Sequence, residues 1–365
     1  MSNTFHSLSL KKTIQETSDT ISIYFDIPES LKSNFSFVPG QYLTLKLEVN
    51  GEELRRPYSI CSANFESELA VTVKRVEGGR VSNWLNDKAG SISELEVMEP
   101  DGNFIISLNP ELKRNHIFIC AGSGITPIMS MIKSTLEDEP KSSCYLLYGN
   151  TNEDSIIFNE ELKNLSNKHE GQLFVKHTLS KPKTKKAGGL KGLFGKKESD
   201  WSGWTGRING AKLEEFLKEV TSRSSKDQYY LCGPGTLIDD MKSALKSRDV
   251  NKDQIHNEYF TTADGGQEKS STGGQGDVEV ILNKETVNVF VSADKTILEA
   301  LVDAGYDPPY SCTSGACSTC VAKVISGKVE MDACHALDDD EIKDGYILSC
   351  QAHPSTTKVK ISYDD

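Results

Sequence analysis

Between Cys312 and Cys320 the chain reads CTSGACSTC, three thiols at the spacing C-x4-C-x2-C. Three sulfurs in so short a loop form an incomplete tetrad, and two later cysteines can complete it. Cys334 follows Cys320 after 13 residues and Cys350 after 29. A zinc site usually pairs C-x2-C knuckles, and this loop has one such pair. Gly315, Ala316 and Ser318 are small, so backbone N–H groups can approach inorganic sulfide and tune its potential. Zinc, an iron–sulfur cluster and unliganded thiols are the readings to weigh, and the residues alone leave Cys334 and Cys350 both open.

The rest of the composition narrows the compartment. Nine cysteines occur in 365 residues. The start MSNTFHSLSLKKTIQ lacks a signal peptide's apolar core, and no apolar run approaches the ~18 residues of a membrane span. A cytoplasmic protein is expected, with metal or redox chemistry favoured over a disulfide framework. The net charge of −12 is uneven: from Asp277 onward 16 acids face 7 lysines, leaving −9 there. That imbalance argues against nucleic acid as a partner and for a partner with a basic docking surface.

The hydrophobic pattern divides the chain. In QYLTLKLEV, Leu43, Leu45, Leu47 and Val49 share one face and Thr44, Lys46 and Glu48 the other; LAVTVKRV repeats the alternation. Residues 1–108 therefore read as a small antiparallel β-barrel, interrupted by one helix at RVSNWLNDKA. Residues 109–260 alternate strand and helix, as in a parallel doubly wound sheet; one helix opens near Pro127 and buries Ile128, Met131, Ile132 and Leu136. A Lys/Gly-rich insertion is expected at 181–204 and a Gly/Ser/Thr linker at 261–276. Residues 277–365 then offer a hairpin, a helix and the cysteine loop, the α+β arrangement of a ferredoxin (β-grasp) domain.

YSCTSGACSTC, followed after 29 residues by LSCQ, resembles the plant-type ferredoxin signature. The resemblance implies a 2Fe–2S cluster on Cys312, Cys317, Cys320 and Cys350, with Cys334 a bystander. RPYS (Arg56, Pro57, Tyr58, Ser59) resembles the R-x-Y-S motif of the ferredoxin–NADP reductase superfamily. That resemblance implies a flavin phosphate on Arg56, the isoalloxazine against Tyr58 and Ser59 near its reactive edge. GGRVSNWL stands at the second flavin position, where Gly78 and Gly79 admit a pyrophosphate and Val81 and Ser82 lie in the first helical turn. Its context is closer to FAD-binding than to FMN-binding members, so FAD is expected.

AGSGITPIMS (Gly122, Gly124, Thr126, Pro127) and YYLCGPG (Cys232, Gly233, Pro234) are similar to the two nicotinamide-binding elements of the same superfamily. In it the cysteine lies near the nicotinamide. Ser180 and Lys181 occupy the place where NADPH-using relatives carry Ser-Arg, so NADPH is expected, with NADH possible. Glu258 and Phe260 are expected to cover the flavin or nicotinamide. Ser59, Cys232 and Glu258 are the candidate catalytic residues. The whole resembles reductase components of multicomponent oxygenases of aromatic degradation. It implies electrons passing from NADPH to FAD to the cluster to a di-iron oxygenase docked on the acidic C-terminal domain. A general reductase serving cytochromes or a desaturase, and a non-enzymatic redox sensor, are the alternatives.

Overall fold

The computed structural model describes residues 4–184, 199–220, 224–261 and 273–364, so the expected insertion and linker fall largely outside the described residues. Six strands, β1 (Phe5–Thr17), β2 (Thr20–Asp26), β3 (Tyr42–Val49), β4 (Glu52–Ser59), β5 (Leu69–Lys74) and β6 (Glu94–Met98), form an antiparallel sheet. Their order is β4–β3–β6–β1–β2–β5, with α1 (Arg80–Lys88) between β5 and β6. The sheet curls until its two edges touch at the Ile60–Val71 bridge. Leu43, Leu45, Val71 and Val73, all with no exposed surface, fill its interior. Each contributes on the order of 1.5–3 kcal/mol relative to exposure.

The second sheet comprises β7 (Asn115–Ala121), β8 (Ser143–Asn150), β9 (Leu173–Leu179), β10 (Trp204–Thr205), β11 (Gln228–Pro234) and β12 (Ile255–Thr261). All neighbours are parallel, in the order β10–β9–β8–β7–β11–β12. The connecting helices are α2 (Ile125–Asp138), α3 (Asn159–Lys168), α4 (Gly210–Glu219) and α5 (Gly235–Lys246). Ile128, Met131, Ile132 and Leu136 of α2 are buried, as the helical period requires. The order reverses between β7 and β11. In open α/β sheets that switch point leaves a crevice at the carboxyl ends of the strands.

The C-terminal part has a five-stranded sheet, β14–β13–β19–β15–β17, and a two-stranded ribbon, β16–β18. Its elements are β13 (Gly276–Leu282), β14 (Glu285–Val291), α6 (Ile297–Asp303), β15 (Val321–Ser326), β16 (Val329–Met331), α7 (Asp339–Lys343), β17 (Tyr346–Leu348), β18 (Ala352–Pro354) and β19 (Lys358–Ser362). A reciprocal Thr296–Glu299 capping box starts α6. The protein is thus an antiparallel flavin-type barrel, a parallel α/β unit and an α+β ferredoxin unit.

Candidate functional site

The register of the C-terminal sheet gathers the thiols. Cys320 directly precedes β15, whose Val321 faces Leu348 of β17, and Cys350 lies two residues beyond Leu348. Ser349 locks the junction, its backbone N and its Oγ both donating to the Cys320 carbonyl, at 3.1 and 3.0 Å. The Cys312 sulfur then contacts those of Cys317 and Cys350, and Cys350 contacts Cys320. Those contacts form a chain, Cys317–Cys312–Cys350–Cys320. Among the described residues no three His, Cys, Asp or Glu side chains are grouped to hold one metal ion. A chain of four thiols, with Cys317, Cys320 and Cys350 buried, suits two irons better than one zinc. Cys334 packs beside them, but its thiol meets the backbone of Leu337.

The loop between the first two thiols bends through left-handed backbone at Thr313 (φ 57°) and Gly315 (φ 73°). Gly315 is irreplaceable on two counts, since a Cβ there would also meet the Ala333 carbonyl at 2.9 Å. The bend turns the backbone N–H groups of Ser314 and Cys317 onto the Cys312 sulfur, each at 3.4 Å.

This loop opens onto a cavity of about 500 Å³, a size usual for small-molecule sites. Its barrel wall holds Arg56, Pro57, Tyr58 and Ser59 on one side and Gly78, Gly79, Val81 and Ser82 on the other. RPYS is the last turn-free stretch of β4, an edge strand, where Pro57 disrupts no ladder. Gly79 caps α1, and a Cβ on it would press within 2.5 Å of Ser82 Oγ. Ser82 Oγ accepts from the Val76 N–H at 3.2 Å, which leaves its own proton to donate. No acid occupies the first turn of α1. The free hydroxyl, the helix N-terminus and the Arg56 guanidinium make a donor set that fits flavin phosphates.

Ser123 and Thr126 bring the second sheet to the same cavity, and Glu258 and Phe260 close it from β12. The two glycine turns meet at the switch point. A Cβ on Gly124 would fall 2.3 Å from the Cys232 carbonyl, and Gly233 (φ 143°) lies against the backbone of Ala121. Gly124 is therefore required by packing against the Cys232–Gly233 backbone. Gly122 (φ 56°) accepts from the Tyr148 hydroxyl at 3.0 Å, Pro127 is buried in α2, and Pro234 is exposed.

Ser59 and Glu258, 199 positions apart, are joined by a hydrogen bond from Ser59 Oγ to Glu258 Oε2 at 3.3 Å. Glu258 keeps part of its surface open to the cavity, but protein encloses the rest, and that desolvation raises its carboxyl to about 8. Cys232 pairs in register with Glu258 on one side and Cys120 on the other. It is fully buried and outside the cavity wall, and burial pushes its thiol well above the ordinary value. Ser180 and Lys181 also lie apart. Both are exposed after β9, held through backbone N–H bonds to the Asn150 and Thr151 carbonyls.

Sequence reasoning missed Tyr42, Thr72, Lys74 and Arg80, which also line the cavity. Lys74 ends β5 close to Gly122, so it brings positive charge to the first glycine turn. Its signal was faint: one cation closing a strand that is otherwise apolar but for Thr72.

The chain matches three family models, described as the Oxidoreductase FAD-binding domain (residues 7–106), the Oxidoreductase NAD-binding domain (118–243) and the 2Fe-2S iron-sulfur cluster binding domain (280–355). It is similar to one of the subunits of 1,2-phenylacetyl-CoA epoxidase from Escherichia coli (strain K12), at 37% identity covering 99% of this chain and 98% of that one. It is also similar to the ferredoxin reductase component of 3-ketosteroid-9-alpha-monooxygenase from Rhodococcus rhodochrous, at 32% identity covering 98% and 96%. Phthalate dioxygenase reductase shares the fold, with a TM-score of 0.59 at 22% identity, covering 98% of each chain.

Proposed function

Since the chain belongs to the FAD- and 2Fe–2S-containing reductases that feed multicomponent oxygenases, we propose that it takes electrons from NADPH for a di-iron oxygenase that epoxidises phenylacetyl-CoA. The observation that carries the electron route is the shared cavity, which flavin-type residues, the end of β12 and the cysteine loop line together. When bound, nicotinamide supplies an electron pair as hydride, and flavin and cluster pass it on singly.

The residues divide that work by position. Arg56, Ser82 and the α1 N-terminus bind the FAD phosphates, with Gly78, Gly79 and Val81 allowing close approach. Tyr58, packed against the barrel core, supports the ring. Ser59 and Glu258 hold a proton between Oγ and Oε2 at its edge, and Phe260 excludes water. Gly122, Gly124, Thr126 and Pro127 seat the nicotinamide nucleotide, while Cys232, Gly233 and Pro234 shape the turn beside it. Ser180 and Lys181 receive the 2′-phosphate. Cys312, Cys317, Cys320 and Cys350 hold the irons. We assign residues 1–108, 109–260 and 277–365 to the flavin, nicotinamide and cluster domains.

No helix among the described residues is long and apolar enough to cross a membrane. All nine cysteines are free, which suits the cytoplasm. The acidic C-terminal domain suits a partner with a basic surface. The relative named as a 3-ketosteroid-9-alpha-monooxygenase component favours a second reading, the same relay serving a steroid oxygenase. Reconstitution separates the two. With NADPH and this protein, the epoxidase's oxygenase component should consume oxygen in proportion to phenylacetyl-CoA. Turnover with only the 3-ketosteroid oxygenase would overturn the first reading.

A further inference from the structure

Tyr42, Thr44 and Lys46 project from one face of β3, opposite Ser59, Pro57 and Arg55 of β4. On a bare barrel this face meets water, yet Tyr42 is 3% exposed and Thr44 1%. The C-terminal domain covers them. The Tyr42 hydroxyl lies 2.6 Å from Thr319 Oγ1, Thr44 Oγ1 donates to Ser311 Oγ at 2.9 Å, and Arg55 Nη2 donates to Asp307 Oδ1 at 2.9 Å. Ser311 and Thr319 flank Cys312 and Cys317, so the barrel grips the cysteine loop on both sides.

Of these contacts, Tyr42 alone also lines the cavity, together with Ser59 and with Cys312 and Cys317. Its hydroxyl spans from Asp101 Oδ2, at 3.2 Å, to Thr319, and Thr319 Oγ1 is 3.5 Å from the Cys317 sulfur. The ring is seated against Gly102 (φ 113°), where a Cβ would come within 2.7 Å of Tyr42 Cε1. A ring held on one side by a bare glycine and at its tip by Asp101, which accepts its proton, and Thr319, which donates to its oxygen, has little freedom to shift.

We propose that Tyr42 is a positioning residue for flavin-to-cluster transfer: its bond to Thr319 fixes the Cys312–Cys317 edge of the C-terminal domain against the flavin cavity. The proposal rests on the relay described above. In the step it serves, one electron leaves the reduced flavin and one arrives on the cluster. No bond forms or breaks, and Tyr42 keeps its proton. Because electron transfer weakens steeply with distance, a loop that loses one anchor spends less time at its closest approach. Thr44 and Arg55 keep the domain docked meanwhile.

The test uses full-length protein carrying flavin and cluster, mixed anaerobically with NADPH, with flavin bleaching and cluster reduction followed separately. Tyr42→Phe and Thr319→Val should each slow cluster reduction about tenfold relative to flavin bleaching, the scale of one lost hydrogen bond. The double variant should be no slower than the slower single, because the Tyr42–Thr319 bond is already lost in each. Thr319→Ser, which keeps the hydroxyl, should restore the rate. Amide hydrogen exchange across residues 311–320 should rise in Tyr42→Phe and Thr319→Val and stay at the wild-type level in Thr319→Ser. Unchanged cluster reduction, additive slowing in the double variant, or unchanged exchange would overturn the role of Tyr42. A wild-type cluster that never reduces is a separate outcome, which removes the relay itself and this role with it.

Discussion

Around the cluster loop, sheet register places Cys320 and Cys350 and a left-handed bend places Cys312 and Cys317, whereas Ser180 and Lys181 lie exposed after β9, held through their backbones. Under the proposed function the two segments face different demands. Iron accepts a narrow set of ligands at fixed reach, so identity and spacing must both appear in the chain. A phosphate dianion needs positive charge and hydrogen-bond donors, and a long, solvated lysine supplies them from many backbone positions. The first kind of site is rigid and spelled out. The second is adaptable and nearly silent in sequence.

Substitution should break the first site outright. Cys350→Ser should abolish the cluster's visible absorption and its EPR signal, because serine leaves an iron position poorly satisfied. Cys334→Ser should retain both signals, since that thiol lies beside the chain of four and meets the Leu337 backbone. The reverse outcome would make Cys334 the fourth ligand.

At the adaptable site the loss should be graded. Lys181 is exposed, so its ammonium can reach a ligand. Lys181→Ala should raise KM for NADPH roughly 10- to 100-fold, as expected for one charge-assisted contact, and leave KM for NADH nearly unchanged. Steady-state kinetics with both nucleotides decides it, and equal effects would detach Lys181 from phosphate recognition.

The smallest effect sharpens the contrast between enclosed and exposed charge. Unfolded, Glu258 ionises in the ordinary carboxylate range; folded, it ionises near 8 because burial disfavours the anion. Its stabilising contribution is therefore complete below the ordinary range and is lost as pH rises to about 8. In flavin-free protein, the melting temperature of Glu258→Gln should gain on the wild type by a few degrees between pH 5.5 and 8.5. A constant difference across that interval would show that the carboxyl titrates normally.

Legibility followed the same divide. The inward row Leu43, Leu45 and Leu47 was readable because its partners lie within the same barrel. Its outward neighbours Tyr42 and Thr44 were not, because what covers them comes from Ser311 and Thr319, more than 260 positions later. The glycine turns at Gly122–Gly124 and Cys232–Gly233 announced themselves through motif, but their mutual packing needed the β7–β11 pairing. Ser59 was marked by RPYS. Its bond to Glu258 was hidden, since β12 reaches the barrel only after the sheet's order reverses. Sequence pattern thus carried what one element demands of its own neighbours, and the cavity is made where three such elements converge.

If electrons leave through the cluster, a protein without the cluster domain loses that exit. The C-terminal sheet has its own apolar core, and its hold on the barrel includes the polar contacts of Tyr42, Thr44 and Arg55. A chain ending at residue 261 should therefore keep FAD and its NADPH–ferricyanide activity, since ferricyanide takes electrons directly from flavin. Its cytochrome c reduction should fall to a small fraction of the full-length rate. Cytochrome c reduced equally fast by the shortened and intact chains would contradict the account, because electrons would then be leaving from the flavin.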